Sequence, residues 1–217
     1  LLAKPEGESA TGVSVDLARE LAKQLHLSCQ LVVVHNAREA VSALENKAAD
    51  IGFLAIDPTR AEQLQFTSAY LEIEGCYVVK DENQIQNIDS VDQATHTVVV
   101  GLGSAYDLYL SRVLKHAQII RADSSKEVIH TFLKTQADVA AGVKEQLLED
   151  MKHHGGLRML ADSFMQIRQA LVLHRDTGSQ TYNMVESFLN DCLRNGYIAD
   201  SMRRHGISGA RLLAPRD

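Results

Sequence analysis

Two turns in this 217-residue chain carry residue types suited to binding an anion. The first is residues 57–60 (Asp-Pro-Thr-Arg), which follow the apolar run 50–55 and end in Arg60. A guanidinium can hold a carboxylate through two parallel hydrogen bonds. The second is residues 101–104 (Gly-Leu-Gly-Ser), where two glycines let backbone amides approach an anion at the start of a helix. Both turns therefore indicate anion recognition.

Each turn also has a purely structural interpretation. On spacing alone, Arg60 is more often a solvated arginine in the first turn of a helix, and Ser104 is a common helix N-cap. The glycine pattern lacks the third glycine of a dinucleotide fingerprint, since Tyr106 stands in its place, and no Walker lysine follows. The two turns therefore do not predict a nucleotide site.

The remaining composition excludes several function classes. The nine histidines and three cysteines form no metal-binding or redox motif, and no Gly-x-Ser-x-Gly sequence occurs. We therefore expect no metal, no cofactor and no catalytic residue. With 22 basic and 28 acidic residues the net charge is −6, which disfavours nucleic-acid binding. No apolar run approaches the ~20 residues that a membrane-spanning helix needs.

Apolar periodicity predicts alternating strands and helices, and hence an α/β protein with largely parallel sheets. The polar segment 80–92 reads as a linker between two α/β groups. Strands are predicted at 31–34 (buried on both faces), 50–55, 77–79, 97–100, 118–120 and 138–141. Helices are predicted at 13–25, 37–44, 105–114, 127–134, 144–152, 182–193 and 198–204.

Several segments, taken in order, resemble the extracytoplasmic solute-binding proteins of the amino-acid type, which serve ABC importers. The strongest similarity lies in 12–25 and 40–70, above all in 48–70, where an Ala-Asp strand, the acid-Pro-x-Arg turn, Phe-Thr and a tyrosine follow one another. Segments 98–110, 137–143 and 188–206 are similar more weakly. The resemblance implies the two-lobed type II periplasmic-binding fold, in which two crossing strands join two mostly parallel sheets flanked by helices.

The resemblance also implies where the lobes begin and end, and which residues hold ligand. Lobe 1 would comprise 1–73 and 170–217, lobe 2 would comprise 78–166, and the hinge strands would lie near 74–77 and 167–169. Arg60 would pair with a ligand α-carboxylate, with backbone groups around Phe53 and Ala55 beside it. On lobe 2, the turn at Gly103, Ser104 and Ala105 would direct N–H groups at the same carboxylate.

The ligand's ammonium has no such partner in the sequence. The aspartate that the family usually offers it falls on Val143 here, and the usual aromatic position falls on Ala37, with Asn36 beside it. Glu74 in the hinge segment is a candidate anion for that role. Otherwise the ligand carries no ammonium, and both alternatives are open at this point.

The resemblance implies a function. The protein would bind a small carboxylate-bearing solute, an amino acid or a related acid, in a cleft between the lobes. It would deliver that solute to the permease of an ABC importer, in the periplasm, as a monomer without enzymatic activity. Residues 1–11 resemble the loop after the family's first strand, so we expect the chain to lack that strand and an export signal.

Two alternatives use the same fold. A cyclohexadienyl dehydratase-like enzyme would need a general acid, for which Glu145 and Glu74 are the candidates. A ligand-sensing domain of a membrane receptor would bind the same kind of solute. We expect a free protein, because the sequence after Arg211 does not lead into a membrane-spanning helix.

Overall fold

The computed structural model describes residues 2–6 and 9–215. The helices are α1 (Val13–Gln24), α2 (Ala37–Glu45), α3 (Pro58–Ala61), α4 (Ala105–Val113), α5 (Val128–Thr135), α6 (Lys144–Met151), α7 (Ser179–Arg194) and α8 (Tyr197–Arg204). The strands are β1 (Lys4–Glu6), β2 (Ser9–Thr11), β3 (Ile51–Ala55), β4 (Leu64–Lys80), β5 (Thr97–Gly101), β6 (Gln118–Ala122), β7 (Val139–Val143), β8 (Leu157–Met159), β9 (Met165–His174) and β10 (Arg211–Leu212). The predicted α/β alternation is confirmed.

The chain divides into two compact units. The first unit contains the described residues of Leu1–Val34, Ala40–Glu72 and Arg168–Asp217, and the second contains His35–Glu39 and Ile73–Ile167. Strands β4 and β9 each continue from one unit into the other. The units are therefore connected through two long strands.

The first unit is built on β3, β9 and the first part of β4. β3 pairs antiparallel with β9, from Ile51 opposite Leu173 to Ala55 opposite Gln169, and β4 lies on the other side of β9. Apolar residues of α1 recur every four positions, which places them on one face of the helix. That face joins residues of α7, α8, β4 and β9 in one core: Val13, Leu17, Leu21, Tyr70, Leu71, Leu171, Leu173, Val185, Phe188, Leu189 and Ile198.

The second unit has a mixed sheet. β5 runs parallel to β6 and β7, while β4 runs antiparallel to β7 and β8. The helices α5 and α6 cover this sheet with Phe132 and Leu147, which are 0% and 1% exposed. The parallel strand β5 is buried along 98–101, as expected for a strand covered on both faces.

Three predictions from periodicity are wrong. The sheets are mixed rather than largely parallel, because β4 and β9 run much longer than the pattern indicated and oppose their neighbours. Residues 80–92 lie inside the second unit rather than between two groups, and Val91 within them is fully buried. Residues 31–34 form no strand, because no described strand pairs with them, and Val32 and Val33 are about half exposed.

Within the described residues, no helix is both long and apolar enough to cross a membrane.

Candidate ligand-binding site

The turn that carries Arg60 is shaped by Asp57 and Pro58. Asp57 is the N-cap of α3, and its Oδ1 accepts a hydrogen bond from the Thr59 amide at 2.9 Å. Pro58 follows at the first helical position, where a proline lacks only an amide hydrogen that the helix would leave unpaired. The short helix therefore fixes Arg60 one residue before its end, close behind the carboxyl end of β3.

Arg60 is buried, with 5% of its surface exposed. Its Nη1 donates a hydrogen bond to the Ala55 carbonyl at 2.8 Å. Burial lowers the pKa of Arg60, and the charge of Asp57 opposes that shift. Arginine side chains are not deprotonated in proteins, so the side chain remains a cation at neutral pH. The interpretation of Arg60 as a solvated arginine is wrong, and the first unit holds a positive charge away from water.

The backbone at the end of β3 serves mainly to position Arg60. The Ala55 carbonyl accepts from Arg60, and the amide of the next residue, Ile56, donates to the Arg168 carbonyl at 2.8 Å. Phe53, two residues earlier, is half-buried and lines an apolar cavity of the first unit. Of the residues predicted on this lobe, Ala55 and Arg60 are in direct contact.

The glycine turn of the second unit caps the start of α4 with two side-chain hydrogen bonds. Ser104 is the N-cap of α4, and its Oγ accepts from the Asp107 amide at 3.0 Å. Asp107 Oδ2 in turn accepts from the Gly103 amide at 2.9 Å, one residue before the N-cap, so the arrangement differs from a capping box, in which the N-cap amide itself is the donor. The Ser104 amide donates to the Gly101 carbonyl at 3.0 Å. The Ser104 amide and hydroxyl oxygen are therefore occupied within the turn.

Within the described residues, the amides of Ala105 and Tyr106 remain as donors that this turn can direct outward, because first-turn amides have no acceptor within their own helix. Gly103 shapes the approach: its φ is +68°, and a Cβ there would lie 2.8 Å from the Arg38 Cβ. The charge of Asp107 is compensated by Arg121, whose Nη2 lies 3.0 Å from Oδ1. The turn can thus offer a backbone donor to an anion, and the nearby Asp107 carboxylate does not repel that anion strongly because Arg121 neutralises its charge.

The position of the family's aspartate is occupied by Val143, the half-buried last residue of β7. Val143 lies opposite Gly75 in the β4–β7 register. The residues next to them, Lys144 and Glu74, are therefore close to each other. Glu74 Oε2 accepts from Lys144 Nζ at 2.5 Å, and this hydrogen bond raises the pKa of Lys144. The carboxylate of Glu74, the candidate partner for a ligand ammonium, is therefore paired with a lysine of the same unit.

Glu145 adds a second carboxyl group at this end of the sheet. Burial raises the pKa of Glu145, and its Oε2 is buried without a hydrogen-bond partner. A raised pKa is a property that a general acid also needs. Glu145 follows Lys144 in the first turn of α6, where a carboxylate interacts favourably with the helix dipole.

Asn36 acts as a cap at the start of α2. Its Oδ1 accepts from the Glu39 amide at 2.9 Å, and its Nδ2 donates to the Asp123 carbonyl at 3.5 Å. Asp123 directly follows β6. The carboxyl ends of the parallel strands β5, β6 and β7 lie at one edge of the sheet, and ligands of open α/β sheets bind beyond such an edge. Asn36, the Gly103 turn and Val143 are therefore all at this edge.

Sequence reasoning missed Lys144, Asp107 and Arg121. The spacing of Ser104 and Asp107 is a capping-box signal that could have identified Asp107. The Glu74–Lys144 pair and the Arg121–Asp107 pair depend on strand register and on which strands are neighbours, and neither is visible from local spacing.

Comparisons with known proteins agree with this architecture. The model of the bacterial extracellular solute-binding proteins, family 3, matches residues 3–206. The amino-acid-binding protein AabA of Dichelobacter nodosus is 26% identical over 181 residues, which cover 82% of this chain and 67% of AabA.

Two solved structures show the same fold. A binding component of an ABC transporter from Wolinella succinogenes, complexed with lysine, has a TM-score of 0.78 at 21% identity and covers 93% of this chain and 88% of its own. A solute receptor for L-cysteine of Neisseria gonorrhoeae has a TM-score of 0.80 at 16% identity and covers 94% of this chain and 84% of its own. The type II periplasmic-binding fold is confirmed, and this chain belongs to the bacterial extracellular solute-binding proteins of family 3.

Proposed function

We propose that this protein binds a small carboxylate-bearing solute, an amino acid or a related acid, and delivers it to an ABC importer. The observation that carries the proposal is the buried cation of Arg60, held by the Ala55 carbonyl in a turn capped by Asp57. A guanidinium can hold a carboxylate through two parallel hydrogen bonds. An anionic ligand is a partner that would use the charge of Arg60 for recognition.

Family membership supports the same function. The family consists of extracellular solute-binding proteins rather than enzymes. The named relatives are an amino-acid-binding protein, a transporter component complexed with lysine and a receptor for L-cysteine. For this chain we therefore propose a periplasmic location, a permease as partner and action as a monomer, with no cofactor.

The second unit favours acids without an α-ammonium group. Val143 offers no charge, and Glu74 is engaged by Lys144. A ligand ammonium would have to compete with Lys144 for Glu74 or be met by Glu145, whose pKa is raised by burial. An amino acid and the matching 2-oxo acid share every atom except those at the α-nitrogen, so that pair of ligands tests this preference directly.

A thermal-shift screen with the twenty L-amino acids, their 2-oxo acids and small organic acids tests the proposed function. A ligand present at 100 times its Kd stabilises the folded state by about 2.7 kcal/mol, which is readily measured as a rise in melting temperature. We expect at least one small carboxylate to give this rise, and its amide or ester to give none. If the neutral derivatives bind as well as the acids, the carboxylate assignment is wrong.

The enzyme alternative has a separate test, since Glu145 has the raised pKa of a general acid. Prephenate or arogenate is incubated with the protein, and an aromatic product is followed by its absorbance. We expect no product above the rate without protein. Turnover that Glu145→Gln abolishes would show that binding is not the whole function.

A further inference from the structure

The helix α6 of the second unit begins with a lysine that its local structure does not favour. Lys144 is the first residue of α6 and directly follows the last residue of β7. The partial positive charge at the start of a helix disfavours a cation there, whereas it favours a carboxylate such as that of Glu145, the next residue. Helix formation therefore does not account for the charge at position 144.

Lys144 lies at the edge of the sheet where a ligand is expected. β7 runs parallel to β5, so the carboxyl ends of both strands are at one edge. Ligands of open α/β sheets bind beyond the carboxyl ends of the strands. The Lys144 side chain is 40% exposed, so a small solute can reach it. A cation is thus placed where the second unit can meet a ligand.

Glu74 on β4 holds the ammonium group of Lys144. Its Oε2 accepts a hydrogen bond from Nζ at 2.5 Å, and its side chain is 34% exposed. Within the part of the chain that the structure describes, Nζ has no other hydrogen-bond acceptor. A lysine ammonium carries three donors, so two remain for a ligand. The pair therefore has no net charge and still offers hydrogen-bond donors.

Glu145 is a poor partner for a ligand ammonium. Its Oε2 is buried and has no hydrogen-bond partner among the described residues. Burial also raises the pKa of Glu145, which means that its surroundings disfavour the charged form. A ligand ammonium at this edge would therefore face the ammonium of Lys144, and contacts between like charges oppose binding.

We infer that Lys144 determines the specificity of the proposed site for small acids. Its ammonium group occupies the Glu74 carboxylate, to which a ligand ammonium would otherwise bind, and it donates a hydrogen bond to an oxygen of the ligand. The substrates are therefore 2-oxo or 2-hydroxy acids rather than amino acids. Glu74 is a positioning residue, because it acts on the ligand through Lys144. The inference rests on the proposed function, because it concerns the same acid.

Calorimetry with each L-amino acid and its 2-oxo acid measures the preference. The wild type should bind at least one 2-oxo acid about tenfold more tightly than the matching amino acid. Lys144→Met removes the charge and retains most of the length of the side chain. It should weaken binding of that 2-oxo acid about tenfold and strengthen binding of the amino acid by a similar factor, because Glu74 is then unpaired. Lys144→Arg keeps the cation and should keep the preference.

Further variants separate the roles of the two residues. Glu74→Gln alone should weaken binding of the 2-oxo acid without any gain for the amino acid, and added to Lys144→Met it should abolish that variant's gain. Lys152→Met is the matched control, because Lys152 pairs with Glu149 at 2.5 Å in the same unit, and it should change neither affinity. A partly exposed ion pair contributes little to stability, so we expect all variants to melt like the wild type.

Three results would overturn the inference: a wild type that prefers the amino acid of each pair it binds, an unchanged ratio of the two affinities in Lys144→Met, or a gain in amino-acid binding that persists without the Glu74 carboxylate. Each of these leaves the proposed function intact, because a small acid still binds. If no acid of either kind binds, the proposed function fails and this inference fails with it. The failure of one proposal can therefore be distinguished from the failure of the other.

Discussion

The two anion-type turns of this protein differ in what they leave available for a ligand. The turn in the first unit buries a cation, Arg60. Its Asp57 side chain caps the short helix, and the Ala55 carbonyl accepts a hydrogen bond from Arg60. In the turn of the second unit, the Ser104 hydroxyl oxygen accepts from the Asp107 amide, and the Ser104 amide donates to the Gly101 carbonyl. Both groups are therefore already hydrogen-bonded within the turn. A side-chain charge and a backbone amide are thus unequal contributors, and substitutions in the two turns should have unequal effects.

Arg60→Ala should have the largest effect on ligand binding. Removing one partner of a buried, hydrogen-bonded charge pair typically costs about 2–5 kcal/mol. Calorimetry with the acid identified by the screen measures the change. Arg19→Ala, an exposed arginine of the same unit, is the control and should bind like the wild type. An unchanged affinity in Arg60→Ala would mean that the carboxylate is recognised elsewhere.

Gly103→Ala should act on both stability and binding. A φ of +68° is strained for alanine, and its Cβ would lie 2.8 Å from the Arg38 Cβ. Strained backbone positions of this kind cost about 1–3 kcal/mol. We expect a loss of that size in urea unfolding, together with weaker binding, because the Ala105 amide moves with the turn. Gly155→Ala is the control, since a Cβ there meets nothing within 4 Å. Equal losses in the two variants would contradict the assigned role of Gly103.

Ser104→Ala should have a smaller effect, mainly on stability. Loss of an N-cap side chain costs about 1 kcal/mol, and Ser104→Asp, which can also cap, should recover most of it. Because the Ser104 hydroxyl oxygen already accepts from the Asp107 amide, we expect ligand affinity to change less than threefold. A loss of affinity as large as that of Arg60→Ala would show that the hydroxyl group contacts the ligand directly.

Much of the fold could be predicted from the sequence because its signals are local. The four-residue apolar period of α1 and the β-branched run of β5 each determine an element within a few residues. The segment 31–34 carries the same β-branched signal but forms no strand. A strand also needs a hydrogen-bonding partner, and the presence of a partner is not encoded in the segment itself.

The candidate site likewise contains local features that the sequence predicts and long-range features that it does not. The Asp57–Arg60 turn and the Ser104–Asp107 cap are local, and their spacing is readable in the sequence. The pairing of Glu74 with Lys144 joins residues 70 positions apart. It depends on Gly75 lying opposite Val143, a register that spacing along the chain does not reveal. The sequence therefore predicts which candidate residue is charged, but it does not predict which residue of opposite charge pairs with it.

Glu145→Gln should have the smallest effect, and its sign depends on pH. Burial raises the pKa of Glu145 above its usual 4.5 in the folded state, so the folded state binds the proton more tightly than the unfolded state does. The stability contributed by this group therefore falls as pH rises through the raised pKa, so the penalty is larger at neutral pH than at acidic pH.

The glutamine variant removes that penalty. Because Glu145 is only partly buried, we expect it to be more stable than the wild type at pH 7 by less than about 1 kcal/mol, with the difference shrinking toward pH 4. Urea unfolding at both pH values measures this change. Glu149→Gln, an exposed position on the same helix, should show no such pH-dependent gain. If Glu145→Gln is instead less stable at pH 7, its carboxylate makes a favourable contact that outweighs burial, and an ammonium partner at this edge would gain support.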